Sequence, residues 1–590
     1  MTELLLLAVP GLPLLLAMAL VLAPLRRVVH ATVWLAPLPA LVAALLVLEP
    51  QSFAEPWLLL GARIGIDELR RAFLLFASVL WLLAAVSAMR LLQSDEDRTG
   101  FFACFLLAMA GNLGLLVAYD VFSFYTLFAL MSFASYGLVV HGRNPESYFA
   151  GKVYIAFVVV GELALFAGLA SAAWSAQSTL LAELRAADLP ETVSTLLLIG
   201  FAVKLGIVPL HLWLPLAHAA APVPASAVLS GSMIKAGLFG LVLVLPLGAT
   251  ALPAHGAALA AAGLVSIFLA ALIGVTQHNP KAVLAYSSVS QMGLIALALG
   301  VVLLAPDTWP LMAPALLVYA AHHAIAKGAL FLGTGVFNAE PRPTQRRLVL
   351  LGLLIPAAAL AALPLTSGHL AKEALKEGLA MAFGPTHWLM LLILAGTTAT
   401  TVLMARFLVV LARRPAGQPC PDLATPWATA IALCACLPLL WPFELPAAKP
   451  LAALALMPTL VPVGFGIVVS LLALAALRLA GLRLEPVRPG EVLALFASDA
   501  RPASSLPPLP RPAIRWRRHL AMLRRPDALP ARAESWAIGG AVAVAVVLVM
   551  ALLEAPRFDG ALRPQMSLPV PDPAIGVDDG SGARPTEHEG

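Results

Sequence analysis

The sequence predicts an all-α polytopic membrane protein, and three observations carry that prediction. Of 590 residues, 61% are hydrophobic and 12% charged, with a mean hydropathy of +0.91. Soluble domains run at about 45–50% apolar and about 25% charged, so the chain holds roughly half the charge that a water-facing surface of its size requires. Apolar runs long enough to cross about 30 Å of hydrocarbon recur with short interruptions, which indicates a helical bundle rather than a barrel. Ionisable residues gather in the interruptions and the tail, leaving about a dozen inside the runs. A soluble multidomain enzyme and a disordered chain are both excluded.

In chain order, about 16 transmembrane helices are expected, centred near residues 14, 40, 82, 109, 130, 163, 200, 236, 266, 293, 321, 358, 398, 435, 468 and 545. The first run, Leu4 to Leu25, lacks a charged leading segment and a small-residue cleavage site, and Arg26 and Arg27 follow it. It therefore reads as a retained span rather than a signal peptide. Residues 1–99 hold the N-terminal spans, 100–248 and 256–411 two blocks of five spans each, and 425–481 additional spans. Residues 482–535 contain nine prolines and the basic piece Arg515-Trp516-Arg517-Arg518-His519, which reads as a cytoplasmic interfacial segment. Residues 536–554 form a last span, and 555–590, rich in Pro, Gly and Asp, a disordered tail.

Basic residues set the orientation. Arg26, Arg27, Arg90, Arg98, Arg143, Lys152, Lys281, Arg342, Arg346, Arg347, Arg413 and Arg414 all fall in or beside odd-numbered loops. The positive-inside rule then places those loops in the cytoplasm of a bacterial-type inner cell membrane, with the N-terminus outside. The net charge of +5 is small for this length, and no dense aromatic-basic surface is present, so no nucleic-acid partner is expected. Cys104, Cys434 and Cys436 lie in apolar runs and Cys420 in a Pro-rich loop, a spacing that offers neither a disulfide framework nor a metal site.

The chemistry is sought where the chain breaks the lipid rule, because an ionisable side chain at mid-bilayer costs at least about 2.5–3.5 kcal/mol. Those residues are Glu162, Lys204, Lys235, His322, His323, Lys327, Lys372, Glu373, Lys376, Glu377 and Arg406. They mix acids, amines and imidazoles, the composition of a proton relay, without the regular arginine spacing of a voltage sensor. An amine held away from water releases its proton more readily than one in solution, so a small change in neighbouring charge loads or unloads it. Lys204 is followed by Gly206 and Pro209, and Lys372 is preceded by Pro364 and Gly368. Two hydrophobic spans broken by Gly and Pro beside a lysine, one in each block, point to two inverted five-helix repeats with a polar site at the midplane. Lys235 and the His322, His323 and Lys327 group would bridge the two half-channels, with His323 and Lys327 four residues apart on one face. His211 and His218 lie at the mouth of the first break, as proton-entry residues or as structural ones.

These residues carry a resemblance. Lys204 to Pro215 (KLGIVPLHLWLP), His218-Ala-Ala-Ala-Pro222-Val-Pro224-Ala-Ser226, Lys235 in MIKAG, Lys281-Ala-Val-Leu-Ala-Tyr286-Ser-Ser-Val-Ser290-Gln291-Met-Gly293, His323-Ala-Ile-Ala-Lys327 and Ser367-Gly-His-Leu-Ala-Lys372-Glu373 resemble the antiporter-like subunits of complex I (NuoL, NuoM, NuoN), Mrp cation/proton antiporters and membrane-bound hydrogenases. The match covers residues 60–415, and the layout is most similar to NuoL. The resemblance implies Lys204 as the central lysine of the first half-channel, Lys235 as the bridging lysine, His323 and Lys327 as a central relay, and Lys372 with Glu373 as the exit-side pair.

Two departures stand out. The family's first-half glutamate falls at Ala129, and Glu162 in the next span is either its replacement or a tie between helices. The prolines of 482–535 rule out a continuous lateral helix of the complex I kind. Asp67, Lys376, Glu377 and Arg406 are read first as structural, with Arg406 pairing a helix end or a carboxylate. The expected function is proton translocation within a multisubunit complex, with no cofactor, metal or catalytic redox site of its own. The expected partners are other membrane subunits and an energy-coupling subunit. The alternatives are a Mrp-type Na⁺/H⁺ antiporter subunit and the membrane partner of an inorganic-carbon uptake complex.

Overall fold

The computed structural model describes residues 2–59, 61–384, 388–415, 420, 423–440 and 456–479. The chain opens with α1 (Thr2–Ala19), then α2 (Arg26–Thr32) and α3 (Leu38–Leu46), which single 3₁₀ turns join into one apolar stretch. An antiparallel hairpin, β1 (Gln51–Glu55) with β2 (Ala62–Ile66), interrupts the helices. There follow α4 (Glu68–Leu91), α5 (Arg98–Leu115), α6 (Val121–Val140), α7 (Pro145–Ala176), α8 (Leu181–Ala186), α9 (Glu191–Leu205), α10 (Trp213–Ala220), α11 (Val223–Val228) and α12 (Lys235–Val244). The second half holds α13 (Pro253–Gly274), α14 (Pro280–Leu304), α15 (Trp309–Ala339), α16 (Pro343–Leu360), α17 (Ser367–Phe383), α18 (Trp388–Ala412), α19 (Ala424–Leu440) and α20 (Leu456–Leu479).

Helix starts are set by short polar side chains that accept from orphan amides. Asp67 caps α4, Asp120 caps α6, Asn279 caps α14 and Thr366 caps α17, while Asn144 and Ser147 form a reciprocal box at α7. Asp67 also pairs with the Arg70 guanidinium and accepts from the Tyr119 hydroxyl at 3.0 Å, which makes it a structural anchor.

Among the described residues, twelve helices are long and apolar enough to cross a membrane. Every expected centre from residue 14 to residue 468 falls on a helix. The expectation of about 16 spans differs from twelve because α9 and α19 are short, at 15 and 17 residues, and α16 carries Arg346 and Arg347. The centre near 545 and the segments 482–535, 536–554 and 555–590 lie outside the described residues. The hairpin and the short α8 are absent from the sequence reading, because their alternation is too brief to stand out between apolar runs.

Loop contacts define two faces. On one, His141 approaches Asp95 at 3.1 Å, Arg143 pairs with Asp97, Cys420 reaches the Arg90 carbonyl, Arg346 donates to the Arg414 carbonyl, and Arg414 donates to the His278 carbonyl. On the other, the Asp120 carboxylate accepts from the Arg63 amide, Arg185 donates to the Leu247 carbonyl, and the Leu252 amide donates to the Leu303 carbonyl. The chain through α9 and α10 ends on the first face, where Lys281 donates to the Ala221 carbonyl at 2.6 Å. The chain through α16 and α17 starts on that face at Arg346 and ends where α18 sets out to return to it. The two broken elements therefore cross in opposite senses, the arrangement of an inverted repeat.

Lipid gives helices no hydrophobic reason to associate, so close packing at small residues replaces it. A Cβ at Gly263 on α13 would lie 2.5 Å from the Gly293 carbonyl on α14, and one at Gly293 would lie 2.6 Å from the Gly263 carbonyl. We expect Gly263→Val or Gly293→Val to force these helices apart and cost about 1–3 kcal/mol. A thermal melt of the purified protein in mild detergent would show it as a lowered Tm, with Leu272→Val on the lipid-facing side of α13 leaving Tm in place.

Candidate functional site

The first break begins where α9 ends in Gly206, whose φ of +74° is a left-handed conformation open to glycine at little cost. Trp213, opening α10, donates its indole N–H to the Val203 carbonyl at 2.9 Å and satisfies an acceptor freed by the break. This fixes Lys204 in the last turn of α9, fully inside the bundle. Its Nζ donates to Ser132 Oγ on α6 at 3.0 Å and lies 5.6 Å from the Phe128 ring. Glu162 on α7 is buried beside them. The three side chains line a narrow cleft with Phe128, Tyr154 and Trp213. Helix approach makes this possible: a Cβ on Gly200 would sit 3.0 Å from the Gly161 carbonyl, so α7 and α9 nearly touch beside Glu162 and Lys204.

At the centre, α11 runs into a single π turn, Leu229–Met233, before α12. The turn presents the Ser230 carbonyl to Lys235 Nζ at 2.6 Å, and the same ammonium meets His323 Nδ1 of α15 at 2.6 Å. Lys327, one turn further along α15, donates to the Leu284 carbonyl at 2.6 Å and to Ser287 Oγ at 2.8 Å on α14. His323 and Lys327 share a face as their spacing predicts, yet each is engaged by a different neighbouring helix. His218 on α10 is buried with its ring stacked on Phe331 at 4.8 Å, in the field of Lys327, Lys281 and Lys235. His211 is buried in the turn that links the two halves of the break.

The second break lies between α16 and α17. His322, the neighbour of His323, turns away from Lys235 and meets Ser367 Oγ in the first turn of α17 at 2.8 Å. Lys372 donates to the Leu360 carbonyl, at the C-terminal end of α16, at 3.3 Å and reaches Thr397 Oγ1 of α18 at 3.5 Å. An ammonium at the carbonyl end of a half-helix is favoured by its dipole. The expected Lys372–Glu373 pair is not formed by contact: Glu373 pairs with Lys376 at 2.5 Å and lies 4.0 Å from His369. Adjacent helical residues point about 100° apart, whereas residues three apart meet. Arg406 donates to the Gln277 carbonyl just past α13, the helix-end partner expected for it.

Several residues of this interior escaped sequence reasoning. Ser132, Ser287, Ser367 and Thr397 are the hydroxyl partners of the charged groups, and Gln291 links Tyr319 to Thr400 across three helices. The cluster Tyr286 to Gln291 stood within a quoted motif, so its polar residues in an apolar run were the available signal. Among the described residues, no three His, Cys, Asp or Glu side chains converge as a metal would need.

Two broken helices of opposite sense, a lysine at each, and a row of buried amines and imidazoles between them define an antiporter-like multi-pass membrane subunit. Residues 118–402, just under half of the chain, match the family described as NADH:quinone oxidoreductase/Mrp antiporter, transmembrane. It is 32% identical over 300 residues to hydrogenase-4 component B of Escherichia coli, covering 48% of this chain and 44% of that protein. It is 27% identical over 293 residues to NADH-quinone oxidoreductase subunit N of Desulforudis audaxviator, covering 48% of this chain and 56% of that one. The chain thus spans about half the length of these curated relatives. The solved structure of the Mrp complex from Dietzia sp. DQ12-45-1b shares the fold, with a TM-score of 0.70 at 21% identity over 95% of this chain and 64% of that one.

The Lys327 contacts make a test with opposite signs. Ser287→Ala strips one acceptor from a buried ammonium and should lower stability by about 1–3 kcal/mol. Lys327→Met in the same background removes the stranded charge, and a detergent melt should show most of that loss recovered.

Proposed function

We propose that this chain is a proton-translocating subunit of a multisubunit respiratory or ion-transport membrane complex. The observation that carries the reading is the buried series running from Glu162 and Lys204 through Lys235 and His323, then Lys327 and His322, to Lys372. Apart from Glu162, the titratable groups of the series are amines and imidazoles, which exchange protons but offer no oxygen ligands to a hard cation, and this favours protons over sodium as the species carried. The family match and the complexes named for its relatives support the assignment to a larger assembly. Moving one proton against 100 mV requires about 2.3 kcal/mol, which a relay does not generate, so the driving free energy is assigned to a partner subunit. The positive-inside rule supports a cytoplasmic location for the face bearing Arg143, Arg346 and Arg414, with the N-terminus on the outside of the inner membrane. The two half-channels are assigned to 100–248 and 256–411, with Glu162 as the acid partner of Lys204.

In sealed vesicles carrying the intact complex, Lys204→Ala or Lys372→Ala should reduce proton uptake, read by quenching of a pH-sensitive dye, to the level of vesicles lacking the complex. Replacing sodium with choline should leave wild-type uptake unchanged. Full uptake in both lysine variants would refute the proposal, and strict sodium dependence would favour a sodium/proton exchanger.

A further inference from the structure

We infer that Ser132 is a proton-relaying hydroxyl between Lys204 and Glu162, and that together Ser132 and Glu162 take over the task of an acid missing from α6. The inference rests on the proposed proton translocation and goes further by naming the atom through which the first site exchanges its proton.

Ser132 is buried at 1% exposure, in the middle of α6. Its Oγ accepts from Lys204 Nζ at 3.0 Å, which leaves the hydroxyl proton free to turn toward the Glu162 carboxylate lining the same cleft. Glu162 Oε2 is buried without a hydrogen-bond partner, so the carboxylate has an acceptor site in reserve. The serine is itself held in place: Tyr154 donates its hydroxyl to the Ser132 backbone carbonyl at 2.8 Å. Ala129 lies one helical turn before Ser132 and carries no titratable group. The acid therefore stands on the neighbouring helix α7, and the hydroxyl on α6 bridges the gap that the shift opens.

The transfer is a double proton hop. An N–H bond of the Lys204 ammonium breaks as an O–H bond forms on Ser132 Oγ. The original Ser132 O–H bond breaks as an O–H bond forms on the Glu162 carboxylate. The products are a neutral amine, a neutral carboxylic acid and an unchanged serine, so no proton is gained or lost. The reverse hop restores the ion pair. Chains of such bonds polarise one another, which favours concerted movement.

The test compares Lys204→Ala, Glu162→Gln, Ser132→Ala, Ser132→Thr and the double variant Ser132→Ala/Ala129→Glu in vesicles carrying the intact complex. Proton uptake is normalised to the amount of assembled complex recovered by affinity purification. We expect Ser132→Ala to slow uptake about tenfold or more, the effect of losing about 1.4 kcal/mol. Ser132→Thr, which keeps the hydroxyl, should restore at least half of the rate, and Ala129→Glu should rescue Ser132→Ala by returning an acid to α6. If Lys204→Ala and Glu162→Gln abolish uptake while Ser132→Ala runs at the wild-type rate, the relay is wrong and the translocation proposal stands. If Lys204→Ala also runs at the wild-type rate, the translocation proposal itself falls. Failure of Ser132→Thr to recover uptake in normally assembled complex would assign Ser132 a packing role only and overturn the inference.

Discussion

An ammonium inside an apolar bundle must find an oxygen, and in this protein three lysines find a backbone carbonyl exposed where a helix is interrupted. Lys235 takes the Ser230 carbonyl in the π turn, Lys372 takes the Leu360 carbonyl at the end of α16, and Lys281 takes the Ala221 carbonyl at the end of α10. In hydrocarbon an unpaired carbonyl costs several kcal/mol, and so does an unpaired ammonium. At these three sites the irregularity and the lysine each satisfy a need the other creates. A regular helix engages its carbonyls with its own amides, and on α14 Lys327 adds the Ser287 hydroxyl to the Leu284 carbonyl.

That economy explains why the interior runs on few acids. Glu162 shares a cleft with Lys204 and Ser132, and Glu373, partly exposed, pairs with Lys376 rather than with the buried Lys372. A lysine bound to a neutral hydroxyl or carbonyl can lose its proton without stranding a buried carboxylate. A lysine locked to a carboxylate would leave an uncompensated charge behind, at a cost of about 3–5 kcal/mol. Neutral acceptors therefore suit groups that must alternate between charged and neutral forms.

Much of this was legible in the sequence, and the physical reasons differ by residue. Lys204 and Lys372 stood out because charge in an apolar run is costly and Gly and Pro beside it mark a break. The spans themselves follow from hydropathy, and the structure sets a helix at each expected centre within the described residues. Ser132, Ser287, Ser367 and Thr397 did not stand out, because a serine or threonine in a membrane helix can bond its own preceding carbonyl and is a common residue there. Pairing was also hidden: the sequence places Glu373 beside Lys372, but helical geometry sends the two side chains in different directions. The β1–β2 hairpin was lost for a simpler reason, since ten strand residues between long apolar helices carry little periodic signal.

Helix α15 shows how the two halves are joined. His322 and His323 are consecutive, so the helical rotation of about 100° per residue directs them to different neighbours. His323 faces Lys235, which closes the first repeat, and His322 faces Ser367, which opens the second half of the second break. Lys327, one turn beyond His323, contacts α14 instead. One unbroken helix thus touches three polar partners from separate elements without any of its side chains having to span a large gap. The π turn before α12 completes this geometry, because its extra residue shifts the register that carries Lys235 and frees the Ser230 carbonyl that receives it. An α-helical turn in its place would rotate Lys235 relative to Ser230 and α15 together, so a local backbone choice on one helix sets the coupling between the repeats.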